Sequence, residues 1–451
     1  MFNVVLISTY DMGRQPFGLA SPAAVLRRAG HQVTCVDVTR TKLSADVVRT
    51  AKLIAFFLPM HTATRLALPL IDRVRDANPS AHLCAYGLYA ALNETVLREH
   101  GVTTVLGPEF EDDLTDLATS LDSSSRGGPA LRSGTWLNDR RVVFIQPDRS
   151  DLPRLSRYAT LQVGDTRKIV GYTEGTRGCK HRCRHCPIVP VYDGRFRAVP
   201  QDVVIADIRA QIAGGAQHIT FGDPDFFNGP THAIALVEAL AREHPGVSYD
   251  VTIKVEHLRR HAALLPRLVE TGCAFVTSAV ESLDDRVLAR LEKGHTRADF
   301  EAAVAHCASI GLPLSPTFVA FMPWTTIDSY REMLDAIERL DLVAAVSPIQ
   351  YAIRLLIPQG SRMLELDDVR ARISHFDPRS LTCIWHHEDA RVDTLQQQVE
   401  QLVGQRLTAP RGEIFARARD LAYAAANLTP PSELPLIARA AVPYLNEPWY
   451  C

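Results

Sequence analysis

Apolar positions in the first quarter of the chain alternate between short β-branched runs and longer stretches with helical spacing: NVVLIS then SPAAVLRRAG, QVTCVD, KLIAFFL then TRLALPLIDRVRDA, HLCAYG, and TTVLG then EDDLTDLA. This alternation predicts an α/β unit, a parallel sheet flanked by helices, over residues 1–120. Ligands of such sheets meet the carboxyl edge, here Tyr10 to Gly18, Pro59 to Thr64 and Gly87 to Ala91. A second alternation starts at KIVGYTE and runs through QHITFGD, VSYDVTIKV, AFVTSAV, LPLSPTFVAFM and AVSPIQYAI, with helical stretches such as PQDVVIADIRAQIAGG between them. These six strands predict a partial (β/α)6 barrel over residues 168–390. Residues 121–167, rich in Ser, Gly, Pro and Arg, read as a linker with one short hairpin, and residues 391–451 as a helical region followed by a proline-rich tail.

A length of 451 residues suits two or three domains. With 46% hydrophobic and 22% charged residues the chain is neither disordered nor a coiled coil. A net charge of -2 carries no polybasic signature, so neither a nucleic-acid partner nor an acidic membrane is expected. The N-terminal apolar run is too short for a signal sequence and no apolar run reaches membrane length, so the expected location is the cytoplasm. The nine cysteines then read as thiols or metal ligands rather than disulfides. Neither G-x-G-x-x-G nor G-x-x-x-x-G-K-[ST] occurs, which argues against a dinucleotide fingerprint and a P-loop.

Cys179, Cys183 and Cys186 form C-x3-C-x2-C in GTRGCKHRCRHCPIVP, directly after the first predicted barrel strand. That is the end at which barrels place their chemistry. Three thiolates in so short a loop can converge on an iron-sulfur cluster. The competing reading, a non-catalytic zinc or redox-sensing protein, would take His181 or His185 as a fourth ligand. Arg177, Lys180, Arg182, Arg184, Arg195 and Arg197 surround the cysteines, either tuning a bound anion or forming a solvated face, and they raise RNA modification as a further reading. Cys383 with His386 and His387 is a second candidate metal group, against a packed loop.

The C-x3-C-x2-C motif after a first barrel strand resembles that of the radical S-adenosylmethionine (SAM) superfamily. The resemblance implies that Cys179, Cys183 and Cys186 ligate three irons of a 4Fe-4S cluster, leaving the fourth iron to SAM, whose reductive cleavage yields a 5'-deoxyadenosyl radical. An electron donor such as ferredoxin or flavodoxin is implied as well. Phe221, Gly222, Asp223 and Pro224 resemble the second-strand motif that receives the SAM amino group, although the usual Gly-Gly-Glu is absent. SAVESLDDRVLARLEKGHT resembles the fourth-strand signature, in which Glu281 or Ser282 faces SAM and Lys293 to Thr296 form the next loop. Lys254 and Glu256 are candidates for the ribose, and Arg354 for the SAM carboxylate.

A Rossmann-like domain ahead of such a barrel is similar to the cobalamin-dependent class, which implies methylation chemistry with the corrin on the sheet edge. D-x-H-x-x-G is missing, so no protein histidine is expected on cobalt. LISTYDMGRQPFGLASPAAVLRRAGH, GYTEGTRGCKHRCRHCPIVPVYDGRFR and IRLLIPQGS resemble a bacterial radical SAM group with a Cys-Sec-Ala-Glu-Pro or Cys-Cys-Ala-Glu-Pro tail. NEPWYC stops at Cys451, where that tail would begin, making a selenocysteine codon read as a stop one expectation. The tail implies alkylation of a metalloid such as arsenic as an alternative to a small-molecule substrate.

Overall fold

The computed structural model describes residues 2–123, 142–406, 409–431 and 443–446. Strands β1 (Asn3–Ser8), β2 (Gln32–Asp37), β3 (Leu53–Phe57), β4 (His82–Tyr86) and β5 (Thr104–Leu106) form a parallel sheet in the order β2-β1-β3-β4-β5. Continuous apolar runs suit strands covered on both faces, and every residue of β3 is buried. The helices Phe17–Arg28 and Glu111–Asp122 cover one face around Leu6, Leu53 and Leu114, and His61–Ala77 covers the other around Ile7, Ile54 and Ile71. The chain reverses its direction of strand addition between β1 and β3, and the crevice at that switch point is where open α/β sheets bind ligands.

The second unit comprises β6 (Thr160–Val163), β7 (Thr166–Thr173), β8 (Thr176–Gly178), β9 (Phe196–Ala198), β10 (His218–Phe221), β11 (Ser248–Thr252), β12 (Cys273–Glu281), β13 (Leu314–Phe318), β14 (Ile373–Asp377), β15 (Thr382–Trp385) and β16 (Tyr444–Leu445). Seven of these form a curled sheet in the order β13-β12-β11-β10-β7-β6-β16. Strands β7 and β10 to β13 are parallel, each joined to the next through helices, and β6 and β16 add antiparallel at one edge. The expected half-barrel is present, with a sixth strand reduced among the described residues to a bridge between Phe321 and Arg354. Pro348 cannot donate to a ladder and opens a 3-10 turn over Pro348–Tyr351. The side-chain oxygen of Gln350 instead accepts from the Phe318 N–H at 2.9 Å, where a neighbouring strand would have bonded.

Residues 142–158 run between the two units and bind both. Arg149 donates to Asp207 of the barrel and to Gln15 of the sheet unit, while Asp148 and Asp151 pair with Arg27. A buried bidentate pair, Arg177 with Glu111 at 2.6 and 2.8 Å, joins the first barrel loop to the helix Glu111–Asp122. The helices Ala390–Gln405 and Arg411–Ala425 share the barrel core through Leu395, Val399 and Phe415. No described helix is long and apolar enough to cross a membrane. Cys451 and most of the proline-rich tail lie outside the described residues.

Candidate functional site

Strands β8 and β9 pair antiparallel and pin both ends of the cysteine loop, with the Cys179 N–H bonded to the Arg195 carbonyl at 3.1 Å. Gly178 at the base has φ +75°, and a Cβ there would lie 2.5 Å from the Arg195 carbonyl oxygen. Only glycine fits that crossing. Cys179 and Cys183 are buried and Cys186 half-buried. Burial pushes the Cys179 thiol up to about 11 and the Cys186 thiol up to about 12, and the mutual proximity of the three sulfurs adds to the rise. Such thiols stay protonated in water and become ligands when a metal displaces the protons.

The basic residues around the loop brace it. Arg182 pairs with Asp193, Arg184 with Glu292 and Glu365, and Arg197 with Glu109, while Lys180 donates to the Asn228 carbonyl. Arg177 is held by Glu111 and Glu174. Arg177, Arg184 and Arg197 are thus engaged in ion pairs at least partly buried, whereas Arg182 and Arg195 are exposed and belong to a solvated face.

His181 and His185 face carboxylates. His185 Nε2 lies 3.1 Å from Glu281, which also accepts from Lys293 Nζ at 3.3 Å. Glu281 sits at φ +69°, at a register shift between β12 and β13, and is buried, yet Lys293 and His185 hold its carboxyl down to about 2. His181 Nε2 lies 3.2 Å, and His257 Nδ1 2.7 Å, from Asp225 Oδ2. This triad ties the cysteine loop to the turns after β10 and β11, and sequence reasoning missed it: His181 stood out only as a zinc alternative, while Asp225 and His257 are isolated in the sequence. Among the described residues it is the one group of three or more His, Cys, Asp or Glu side chains close enough for a common metal ion. Its two short edges are ion-pair contacts, and among the described residues His181 Nε2, His257 Nδ1 and Asp225 Oδ2 make no hydrogen bond.

Gly222 closes against Tyr172, whose hydroxyl would lie 1.8 Å from any Cβ placed there. The Asp223 carboxylate accepts from the Gly175 N–H at 2.9 Å and the Thr176 hydroxyl at 2.6 Å, and burial pushes it up to about 7. It holds the start of the cysteine loop. Lys254 is buried, with Nζ 3.4 Å from Glu256. The Ser282 hydroxyl accepts from the Asp284 N–H. Arg354 pairs with Asp393 at 2.7 Å and lies 3.6 Å over the Trp385 ring. Cys383 packs among Leu355, Ile357 and Trp385, while His387 accepts from the Asp389 N–H, which gives the packed-loop reading of that segment.

One cavity of about 590 Å³ brings the two units together. Tyr10, Met12 and Arg14, from the loop after β1, line it with Phe221 to Pro224 and with Thr220, Asp250, Thr277 and Gln350 of the half-barrel. Pro443, Tyr444 and Asn446 close part of its wall. Its size is that of a small-molecule site.

The radical SAM superfamily model matches residues 173–337. Over 292 residues the chain is 24% identical to tRNA-2-methylthio-N(6)-dimethylallyladenosine synthase of Desulfosudis oleivorans, covering 61% of each chain. It is 22% identical over 210 residues to the bacteriochlorophyllide d C-12(1)-methyltransferase of Chlorobaculum tepidum, covering 45% of this chain and 43% of that one. The chain thus spans about two-fifths to three-fifths of the length of these relatives. Among solved structures it is similar to the cobalamin-dependent SAM radical enzyme OxsB with aqua-cobalamin bound, at a TM-score of 0.71 and 14% identity over 96% of this chain and 74% of that one. The methyltransferase TsrM of Kitasatospora setae, with tryptophan and a SAM analogue bound, gives a TM-score of 0.60 at 19% identity over 81% of this chain and 76% of that one. At these identities the two structures speak to the fold.

Proposed function

We infer, from a chain whose residues 173–337 form a radical SAM domain, that the protein is a radical SAM enzyme with a 4Fe-4S cluster on Cys179, Cys183 and Cys186. In this reading cobalamin lies on the sheet edge facing the barrel, and the reaction is methyl transfer to a small molecule. The shared cavity carries the inference, because the switch-point loop of the sheet and the carboxyl end of the half-barrel open onto one space.

The residues suit each group. Three thiols pinned in one loop match a cluster that keeps one iron for SAM. Phe221 to Pro224 line the cavity and offer backbone to the SAM amino group; Lys254, Glu281 and Ser282 lie outside its lining and are candidate contacts on the motif resemblance. At the carboxyl end of β1, the buried Ser8 Oγ has no hydrogen-bond partner among the described residues, a polar atom a corrin amide could satisfy if the loop after β1 moved aside. No histidine lies in Tyr10 to Arg14, and His61 Nε2 meets the Ser380 carbonyl at 2.5 Å, so neither segment would offer a bound corrin a free imidazole. When bound, the cluster supplies the electron that cleaves the SAM sulfonium, and cobalamin supplies a methyl carrier.

The chain's own side chains set the conditions. Lys293, buried beside Cys183 and Cys186, balances thiolate charge. The half-barrel walls exclude water from the reacting groups. Anaerobic reconstitution should give about four irons and four sulfides per chain, and 5'-deoxyadenosine or a SAM-derived methyl group should appear with reductant. Replacing Cys179, Cys183 or Cys186 by Ala should remove the iron. Bound zinc without labile sulfide would overturn the reading.

A second reading, alkylation of a metalloid such as arsenic at the C-terminal cysteine, draws on the wall formed by Pro443, Tyr444 and Asn446. Arsenite binding that disappears in Cys451→Ser would favour it, and binding untouched by that change would dismiss it.

A further inference from the structure

The cavity contains an anion that the chemistry above does not use. Asp250 lies midway along β11 and lines the cavity. Its Oδ1 accepts from His218 Nε2 at 2.8 Å and from the Thr220 hydroxyl at 2.5 Å, and among the described residues no group bonds to Oδ2. The other nitrogen of His218 meets the Ser248 hydroxyl at 2.9 Å, which in turn accepts from Lys168 Nζ at 2.9 Å.

Lys168 Nζ donates to the Ser248 hydroxyl, which meets His218 Nδ1, so this chain of contacts and the Thr220 hydroxyl fix the Asp250 carboxylate by its Oδ1 alone. Arg411 lines the same cavity, but donates to the Ala344 carbonyl and lies over the Tyr444 ring. A carboxylate enclosed in this way, with one oxygen turned to the cavity, is stabilised when a cation enters.

We propose that Asp250 anchors the substrate, taking a protonated amine of a small molecule on Oδ2, with His218 and Thr220 as positioning residues. The proposal rests on the radical SAM reading and adds to it the chemical class of the substrate. It is tested on the full-length reconstituted protein by ligand-observed NMR with two probes of equal shape, cyclohexylammonium and cyclohexanol. The ammonium should bind about tenfold or more tightly than the alcohol. Asp250→Asn should abolish that preference while iron content stays that of the parent protein.

Equal affinity for the two probes, or a preference that survives Asp250→Asn, would overturn the anchor. Should Asp250→Asn fail to load iron, the parent protein decides, and equal affinity of the two probes for it refutes the proposal. Iron, sulfide and 5'-deoxyadenosine report on the parent reading separately. A protein lacking the cluster that still selects ammonium through Asp250 would sink that reading and leave the anchor in place.

Discussion

Glu281 combines an unfavourable backbone conformation with a buried charge. A non-glycine residue at φ +69° costs roughly 1–2 kcal/mol, and its carboxylate is held by Lys293 and His185. Glu281→Gln should leave Lys293 as an uncompensated buried cation and lower stability by roughly 3–5 kcal/mol. Urea unfolding checks this, and a change below about 1 kcal/mol would contradict the ion-pair account. Asp223 makes a pH prediction. Burial raises its carboxyl from 3.8 to about 7, so the protonated form is favoured in the fold. The resulting stability is fully present below the unfolded value near 3.8 and is lost as pH rises through about 7. A shift of that size corresponds to on the order of 4 kcal/mol. The thermal midpoint of the parent should fall between about pH 4 and 7 more steeply than that of Asp223→Asn; parallel curves would exclude the group.

Among the elements, the short β8 and β9 ladder bears most directly on the site. Gly178→Ala puts a Cβ against a backbone oxygen at a left-handed residue, so the ladder must shift and the Cys179 N–H must leave Arg195. Iron retained after reconstitution should fall several-fold while the far-ultraviolet spectrum stays unchanged, and full iron loading would show that the ladder does not set the loop. The β/α alternation was legible because a strand covered on both faces must be apolar throughout, as β3 is. The cysteine loop was legible because residues close in sequence need little tertiary help to share one loop. The sixth barrel strand was misread because AVSPIQYAI has a strand's apolarity, while Pro348 and the Gln350 side chain settle its local geometry.

At the scale of the molecule, the sheet unit and the half-barrel are joined by buried charge. Arg177→Met should cost roughly 3–5 kcal/mol, since Glu111 remains buried and Glu174 half-buried without it. Adding Glu111→Gln should restore part of that loss, whereas simple additivity would show the pair to be uncoupled. Hydroxocobalamin, if it binds, should give a base-off spectrum, because no imidazole lies in the loop after β1 and His61 is engaged by Ser380. A nitrogen-ligated cobalt signal would correct this.

The alternation of apolar and polar residues determined two α/β units, since burying both faces of a parallel sheet constrains every strand locally. The spacing of Cys179, Cys183 and Cys186 determined that three thiols share one short loop, since seven residues of chain limit how far they can separate. Tertiary structure alone decided that Asp225 joins His181 and His257, that Arg354 turns to Asp393, and that Asp250 meets His218 inside a cavity reached by Tyr10 and Arg14. These partners come from different strands and turns. Which polar groups meet across a barrel depends on strand order and register, and single residues carry no periodic signal of either.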